Sequence, residues 1–445
     1  MSLLTASDKA LWRLALPMIF SNITVPLLGL VDTAVIGHLD SPVYLGGVAI
    51  GATATSFLFM LLLFLRMSTT GLTAQAYGAK DPLRLARALV QPLILALGAG
   101  ALIVVWRAPL IALALHVVGG SEAVLAQARR FLEIRWLSAP ASLANLVLLG
   151  WLLGVQYARA PVILLVVGNL LNIVLDVWLV MGLHMNVQGA ALATAIAEYG
   201  TFIIGLWMVR RVLAMRGISL ALLKTAWRGN IRKLLALNRD IMLRSLLLQL
   251  CFGALTVFGA RLGPEIVAVN AVLMTLLTFT AYALDGFAYA VEAHSGQAYG
   301  ARESGQLREV WRAACRQSGL VALAFGLVYA CFGEQIVALL TSLPALRELA
   351  SHYLIWQVVL PVVGVWCYLL DGMFIGATRG AEMRNSMAVA AAGFGLTLLT
   401  LPWLGNHGLW LALAVFLSLR GLSLAFIWHR HWQNNTWFPS RSDIS

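Results

Sequence analysis

The chain has 445 residues, of which 60% are hydrophobic and 11% charged, with a formal net charge of +12. Soluble domains average about 25% charged residues, so this composition excludes a soluble globular protein. The positive excess is expected in the loops of a polytopic membrane protein rather than on a nucleic-acid-binding surface.

Apolar runs near the roughly 20 residues that a span requires lie at 11–38, 45–76, 88–115, 125–153, 160–183, 188–210, 240–262, 267–298, 314–340, 349–376, 385–404 and 408–430. They are too long and too unalternating for barrel strands. They predict an all-α protein with twelve transmembrane helices. The first run follows Lys9 and Arg13, as a signal peptide would. It is too long and lacks a small-residue cleavage site, so a retained helix is expected.

That first run holds Asp32, within Pro26-Leu-Leu-Gly-Leu-Val-Asp32-Thr-Ala-Val-Ile-Gly-His38. A carboxylate in hydrocarbon costs about 2.5 kcal/mol or more even on lenient insertion scales, which makes Asp32 a candidate on an ion or substrate path. Pro17 and Pro26 each remove a backbone hydrogen bond from the same helix and are candidate bending points.

With the N-terminus inside, 22 of the 31 Lys and Arg fall on inner segments, 6 on outer ones and 3 (Arg66, Arg244, Arg420) in the membrane. This asymmetry predicts both termini in the cytoplasm, with 41–45 and 184–187 outside. Trp106, Trp178, Trp207, Trp403, Trp410 and Trp428 fall near helix ends, where an aromatic belt is expected.

The chain also repeats. Gln75-Ala-Tyr-Gly-Ala-Lys80 recurs as Gln297-Ala-Tyr-Gly-Ala-Arg302, and Gly150 and Gly154 recur as Gly372 and Gly376, both at an offset of 222. Two six-helix halves of the same topology follow: an N-terminal bundle over 1–210, a linker over 211–239 and a C-terminal bundle over 240–445. The linker carries seven Lys or Arg counting Arg211 and Arg239, and reads either as an amphipathic connector on the membrane surface or as a solvated loop.

The N-half acids read as intramembrane candidates are Asp32, Asp176 and Glu198. Asn172 and Asp176 are four apart, on one helix face, with Asn169 three further back. Asp32 and Asp176 fall at similar depth in one bundle. An acid cluster in low dielectric tends to retain a proton; with Asn oxygens it also suits Na⁺ as a hard cation. In the C-half, Arg244 is expected to pair with Glu292, and Arg420 with Asp285 or Asp371, because buried charges are normally paired. The repeated glycines are expected at close helix contacts. Cys251, Cys315, Cys331 and Cys367 lack CxxC spacing, and no nucleophile motif, P-loop or Rossmann glycine pattern is present, so neither an enzyme nor an ATP-driven pump is expected.

The helix-1 pattern LP…GLVDTAVIGHL, the duplicated QAYGA and the pattern NLLNIVLD in 169–176 resemble the multidrug and toxic compound extrusion (MATE) family, and within it the DinF branch of enteric bacteria, over essentially the whole chain. The resemblance implies two bundles in a V around a central cavity. It also implies a monomer in the bacterial inner membrane, in contact with lipid. Such a protein exports amphipathic, often cationic small molecules against inward H⁺ or Na⁺, with no bound cofactor. By motif position Asp32 is similar to the family's coupling acid, and Asn172 and Asp176 to its hydrogen-bonding partners. Asp371 is similar to the helix-10 acid of some members, but the helix-7 acid those members use for sodium is missing from 240–262, where only Asp240 stands, at the edge. Three rival readings remain. A lipid-linked oligosaccharide flippase of the same superfamily requires a more basic cavity, an intramembrane enzyme a nucleophile or metal site, and a major-facilitator carrier quarter-length inverted repeats.

Overall fold

The computed structural model describes the backbone of residues 4–37, 39, 41–229 and 231–439, and their side chains except those of 25–34 and 37. The long helices are α1 (Ala6–Gly37), α2 (Pro42–Gly78), α3 (Pro82–Val105), α4 (Glu122–Gly154), α5 (Ala160–Gly182), α6 (Asn186–Met215), α7 (Arg232–Arg261), α8 (Pro264–Ala301), α9 (Ser304–Leu340), α10 (Pro344–Gly376), α11 (Gly380–Leu404) and α12 (Asn406–Gln433). Among the described residues, α2 to α12 are each long and apolar enough to cross a membrane, and no strand occurs. The protein is an all-α, multi-pass membrane protein, and each expected span except 88–115 falls on one of these long helices.

Two element boundaries differ from expectation. The run 88–115 is divided: α3 begins earlier, at Pro82, capped by the Asp81 carboxylate on the Arg84 N–H, and ends at Val105. A separate helix then runs over Arg107–Val118. Pro109 has no N–H to give to the Val105 carbonyl, which weakens the helix at the point where it breaks. The connection between halves is also shorter than 211–239, because α6 extends to Met215 and α7 begins at Arg232. Between them lies only a short helix, Leu220–Thr225, whose N-terminus is capped by the Ser219 hydroxyl. One belt residue is corrected too. Trp410 is buried and donates to Asn270, which is paired to Asn406 in a polar knot between α8 and α12.

The chain forms two compact units, Ile23–Leu235 on one hand and Ala236 onward with the chain up to Asn22 on the other. In the first, α4 packs on α2, α3 and α6, and α5 on α6. In the second, α10 packs on α8, α9 and α12, and α11 on α12. The apolar windows of α4 and α10 are 72% and 67% buried, against 17–44% for the other spans, which makes these the central helices of their units. The shared offset accounts for this. A Cβ on Gly150 would lie 2.7 Å from the Arg66 carbonyl, and one on Gly372 would lie 2.7 Å from the Ala288 carbonyl; Gly154 meets Thr73 as Gly376 meets Ser295. Every member of these contacts is displaced by 222 from its counterpart, so α4 on α2 and α10 on α8 are the same backbone-to-backbone contact made twice.

The first part of α1 packs against the C-terminal helices. Arg316 donates to Asp8 (3.1 Å), Trp12 to Gln317 (3.0 Å), and Asn22 to the Tyr282 carbonyl (3.2 Å). Trp12 meets Phe287 edge-on, and Ile19 fills the space beside Gly286. Burial pushes the Asp8 carboxyl up, but the Thr5 N–H and the Arg316 guanidinium outweigh it and hold it below its ordinary value.

Candidate functional site

The candidate coupling residues lie in the first unit. Along α5 the exposed side chains are Val166, Leu170, Ile173, Val174, Val177, Trp178 and Met181. This is a helical stripe suited to hydrocarbon, and it leaves the opposite face to Asn172 and Asp176. Asn172 is buried, Asp176 is wholly buried and Asn169 is half-buried. The i, i+4 spacing thus places both groups on the inward face. Among the described residues the Asn172 Oδ1 has no hydrogen-bond donor.

Immediately after Asp176 the helix widens. Residues Val177–Gly182 form a π-helical turn, closed by the Leu183 N–H on the Trp178 carbonyl, five residues back. Such insertions are frequent at functional sites, and nothing in the residue pattern announces this one. Val180, in that turn, shares a buried cluster with Val35 and Ile36 near the end of α1. Asp32 lies on α1 a turn before them, five residues from Gly37, as Asp176 lies six from Gly182. The Asp32 side chain itself, and that of Pro26, are outside the described residues; α1 is helical through both Pro17 and Pro26, and Pro17 is half-buried.

A second polar group in this unit escaped the sequence. Arg135 is buried in α4, 3.7 Å from Glu198 of α6, and Asn145 donates to both the carboxylate and the carbonyl of Glu198 at 3.1 Å. Arg135 is one of the six counted on outer segments, yet it lies inside α4, one turn before Ala139 and Pro140. An acid in mid-α6 was the available signal.

In the C-terminal unit the expected Arg244–Glu292 pair is replaced. Arg244 of α7 reaches the Asp371 Oδ2 at 2.5 Å, and Arg420 of α12 closes on the same oxygen. All three are buried. Of the two acids open to Arg420, the partner is therefore Asp371, not Asp285. Asp285, on α8, lies in the field of the two arginines, of Asp371 and of Glu292. Membrane depth can be read from the sequence, but the angle a residue takes around its helix axis relative to its neighbours cannot, so Asp371 on α10 and Glu292 on α8 were not separable as partners. One Asp371 oxygen is thus held by two guanidiniums. Asp240, at the start of the same unit, is paired with Arg384 at 2.6 Å.

These features can be compared with known proteins. The family model described as MatE matches residues 17–178 and 241–416, one copy in each half. The chain is 84% identical to DNA damage-inducible protein F of Escherichia coli (strain K12) over 99% of this chain and 96% of that one. It is 26% identical to a probable multidrug resistance protein NorM of Pseudomonas putida, covering 95% and 94% of the two chains. Its fold matches a crystal structure of MATE in the straight conformation with a TM-score of 0.85 at 21% identity, over 97% of each chain. The bent conformation matches with a TM-score of 0.84 at 23%, over 97% and 96%. With both halves matched by the family model and near-complete identity coverage by a relative, the chain belongs to the MatE family.

Proposed function

We propose that the protein is a secondary active multidrug exporter of the bacterial inner membrane. It antiports amphipathic, often cationic organic compounds against inward H⁺ or Na⁺ by alternating access. The observation that carries this reading is the buried face of α5, where Asp176 is wholly buried and the Asn172 Oδ1 has no donor among the described residues, and Val180, in the turn that follows, shares a buried cluster with Val35 and Ile36 of α1. Asp32 serves as the coupling acid and Asn172 with Asp176 tunes it. On the face of α5 an entering ion meets the Asp176 carboxylate and the Asn172 amide oxygen in low dielectric, where its charge is worth far more than in water. Ion and substrate binding must oppose one another for export, a negative coupling of about 1–3 kcal/mol on the usual allosteric scale. The relative named as a multidrug resistance protein supports the substrate class. Both termini lie in the cytoplasm on the positive-inside count.

The test is efflux from vesicles with an imposed pH gradient, an imposed Na⁺ gradient, or neither. Asp32→Asn, which imitates the protonated acid, is expected to reach the membrane and lose gradient-driven efflux. Full drug export by this variant would move the coupling site elsewhere.

A further inference from the structure

Between Glu198 and Asp240 the chain has eight Lys or Arg and no acid. Part of this stretch folds as a strip with two faces. Ile218, Leu222, Leu223 and Ala226, at helical spacing, turn toward the unit and join the buried cluster of Trp151, Val155 and Leu85. The other face carries Leu220, Lys224, Trp227 and Arg228, also at helical spacing and all exposed. An amphipathic connector was expected to bury its apolar side in lipid; here that side is already spent on protein. Yet the outward face keeps Leu220 64% and Trp227 55% exposed, and Met215, at the end of α6, is 69% exposed. A face that met only water would not carry these residues beside its cations.

The composition is that of a membrane interface, where an aromatic ring sits at headgroup level and basic groups meet lipid phosphate. Arg228 lies over the Trp227 ring (5.2 Å), and one helix end earlier Arg211 lies over the exposed Trp207 (5.6 Å). Met215 lies eight residues past Trp207, about 12 Å along the helix. That distance carries the chain from a ring at the hydrocarbon edge into or just past a headgroup layer of about 5–8 Å. The Arg87 guanidinium of α3 packs against Gly229 and adds a cation to the same surface.

We propose that this strip, with Lys224, Trp227 and Arg228 at its centre, binds the headgroups of anionic phospholipids in the leaflet it faces. The occupant is lipid rather than a soluble anion because the cations alternate with exposed apolar side chains. Zwitterionic lipid lacks the net charge that the strip complements.

Phosphatidylglycerol and, separately, phosphatidylcholine are titrated into the detergent-purified full chain and followed by native mass spectrometry. The wild type is expected to retain phosphatidylglycerol in preference. Lys224→Gln/Arg228→Gln should keep its thermal midpoint in detergent and bind phosphatidylglycerol roughly 25-fold more weakly, about fivefold for each cation near a lipid surface. In vesicles, the fluorescence that Trp227→Phe removes should be quenched by lipids brominated near the headgroup end of their chains. Equal retention of the two lipids, undiminished binding by the double variant, or a Trp227 signal quenched by aqueous iodide but not by brominated lipid would each overturn the assignment.

Discussion

A single atom separates the two halves chemically. The Asn172 Oδ1 is buried without a donor among the described residues, whereas the Asp371 Oδ2 receives two. Opposite outcomes follow for their replacement. Asn172→Leu, similar in volume, removes a buried amide and is expected to hold or raise the thermal midpoint while weakening gradient-driven efflux, the usual exchange between stability and function. Asp371→Asn leaves Arg244 and Arg420 buried without their counter-charge, a loss of about 3–5 kcal/mol in comparable buried pairs. Its thermal midpoint should fall sharply, and whatever protein survives should keep the ion dependence of the wild type. Differential scanning fluorimetry with vesicle efflux on the same preparations checks both. Sequence served well where one helix decides the matter: Asn172 and Asp176 share a face because they are four apart, and the burial pattern of α5 agrees. It failed where two helices decide, as for Arg244, whose partner depends on how α7 is turned toward α10 rather than α8.

At the scale of elements, the duplicated glycines set the same close helix contact in both units. A methyl group on Gly376 would lie 2.9 Å from the Glu292 carbonyl and 2.8 Å from the Gly296 nitrogen, both backbone atoms that cannot turn aside. Gly376→Ala should therefore cost roughly 1–3 kcal/mol, as overpacking does, while Gly98→Ala and Gly395→Ala, with nothing within 4 Å, should leave the thermal midpoint within a degree or so of wild type by the usual small effect of open surface positions. The start of α1 responds to acid. Because the Asp8 carboxyl is held below its ordinary value, the tie to Arg316 contributes fully above the unfolded value of about 3.9 and is lost as pH falls through the lower folded one. Asp8→Asn should lower the thermal midpoint at neutral pH, and the difference from wild type should vanish once acid has protonated Asp8. The helices were legible from length and hydropathy. The break at Trp106 was marked by Pro109, yet the run of apolar residues concealed it, and the π-turn after Asp176 has no marker in composition at all.

For the whole molecule, the repeat reaches beyond the spans. Arg216, after α6, lies over the Tyr77 ring of the first QAYGA, and Phe438, after α12, stacks on Tyr299 of the second. Both pairs differ by the same 222 residues, so each half ends by covering the same tyrosine. Orientation can be tested at two sites on the descriptive scale of cell labelling. Cysteine at Ser41, the cap of α2, should react with an impermeant maleimide on intact cells, and cysteine at Ser304, the start of α9, should not; the reverse pattern refutes the charge-based topology.

The docking of α1 also has a consequence for biosynthesis. Residues up to Asn22 are among the first to leave the ribosome, yet their partners Tyr282, Phe287, Arg316 and Gln317 are made some 260 residues or more later. Contacts so distant in sequence close slowly. Throughout that interval the leading segment of α1 must wait in the bilayer without its native neighbours, held only by the hydrophobic match of the rest of the helix. A gene split within the linker would therefore yield a second fragment that lacks one of its own packing surfaces, and only co-expression with the first could restore it.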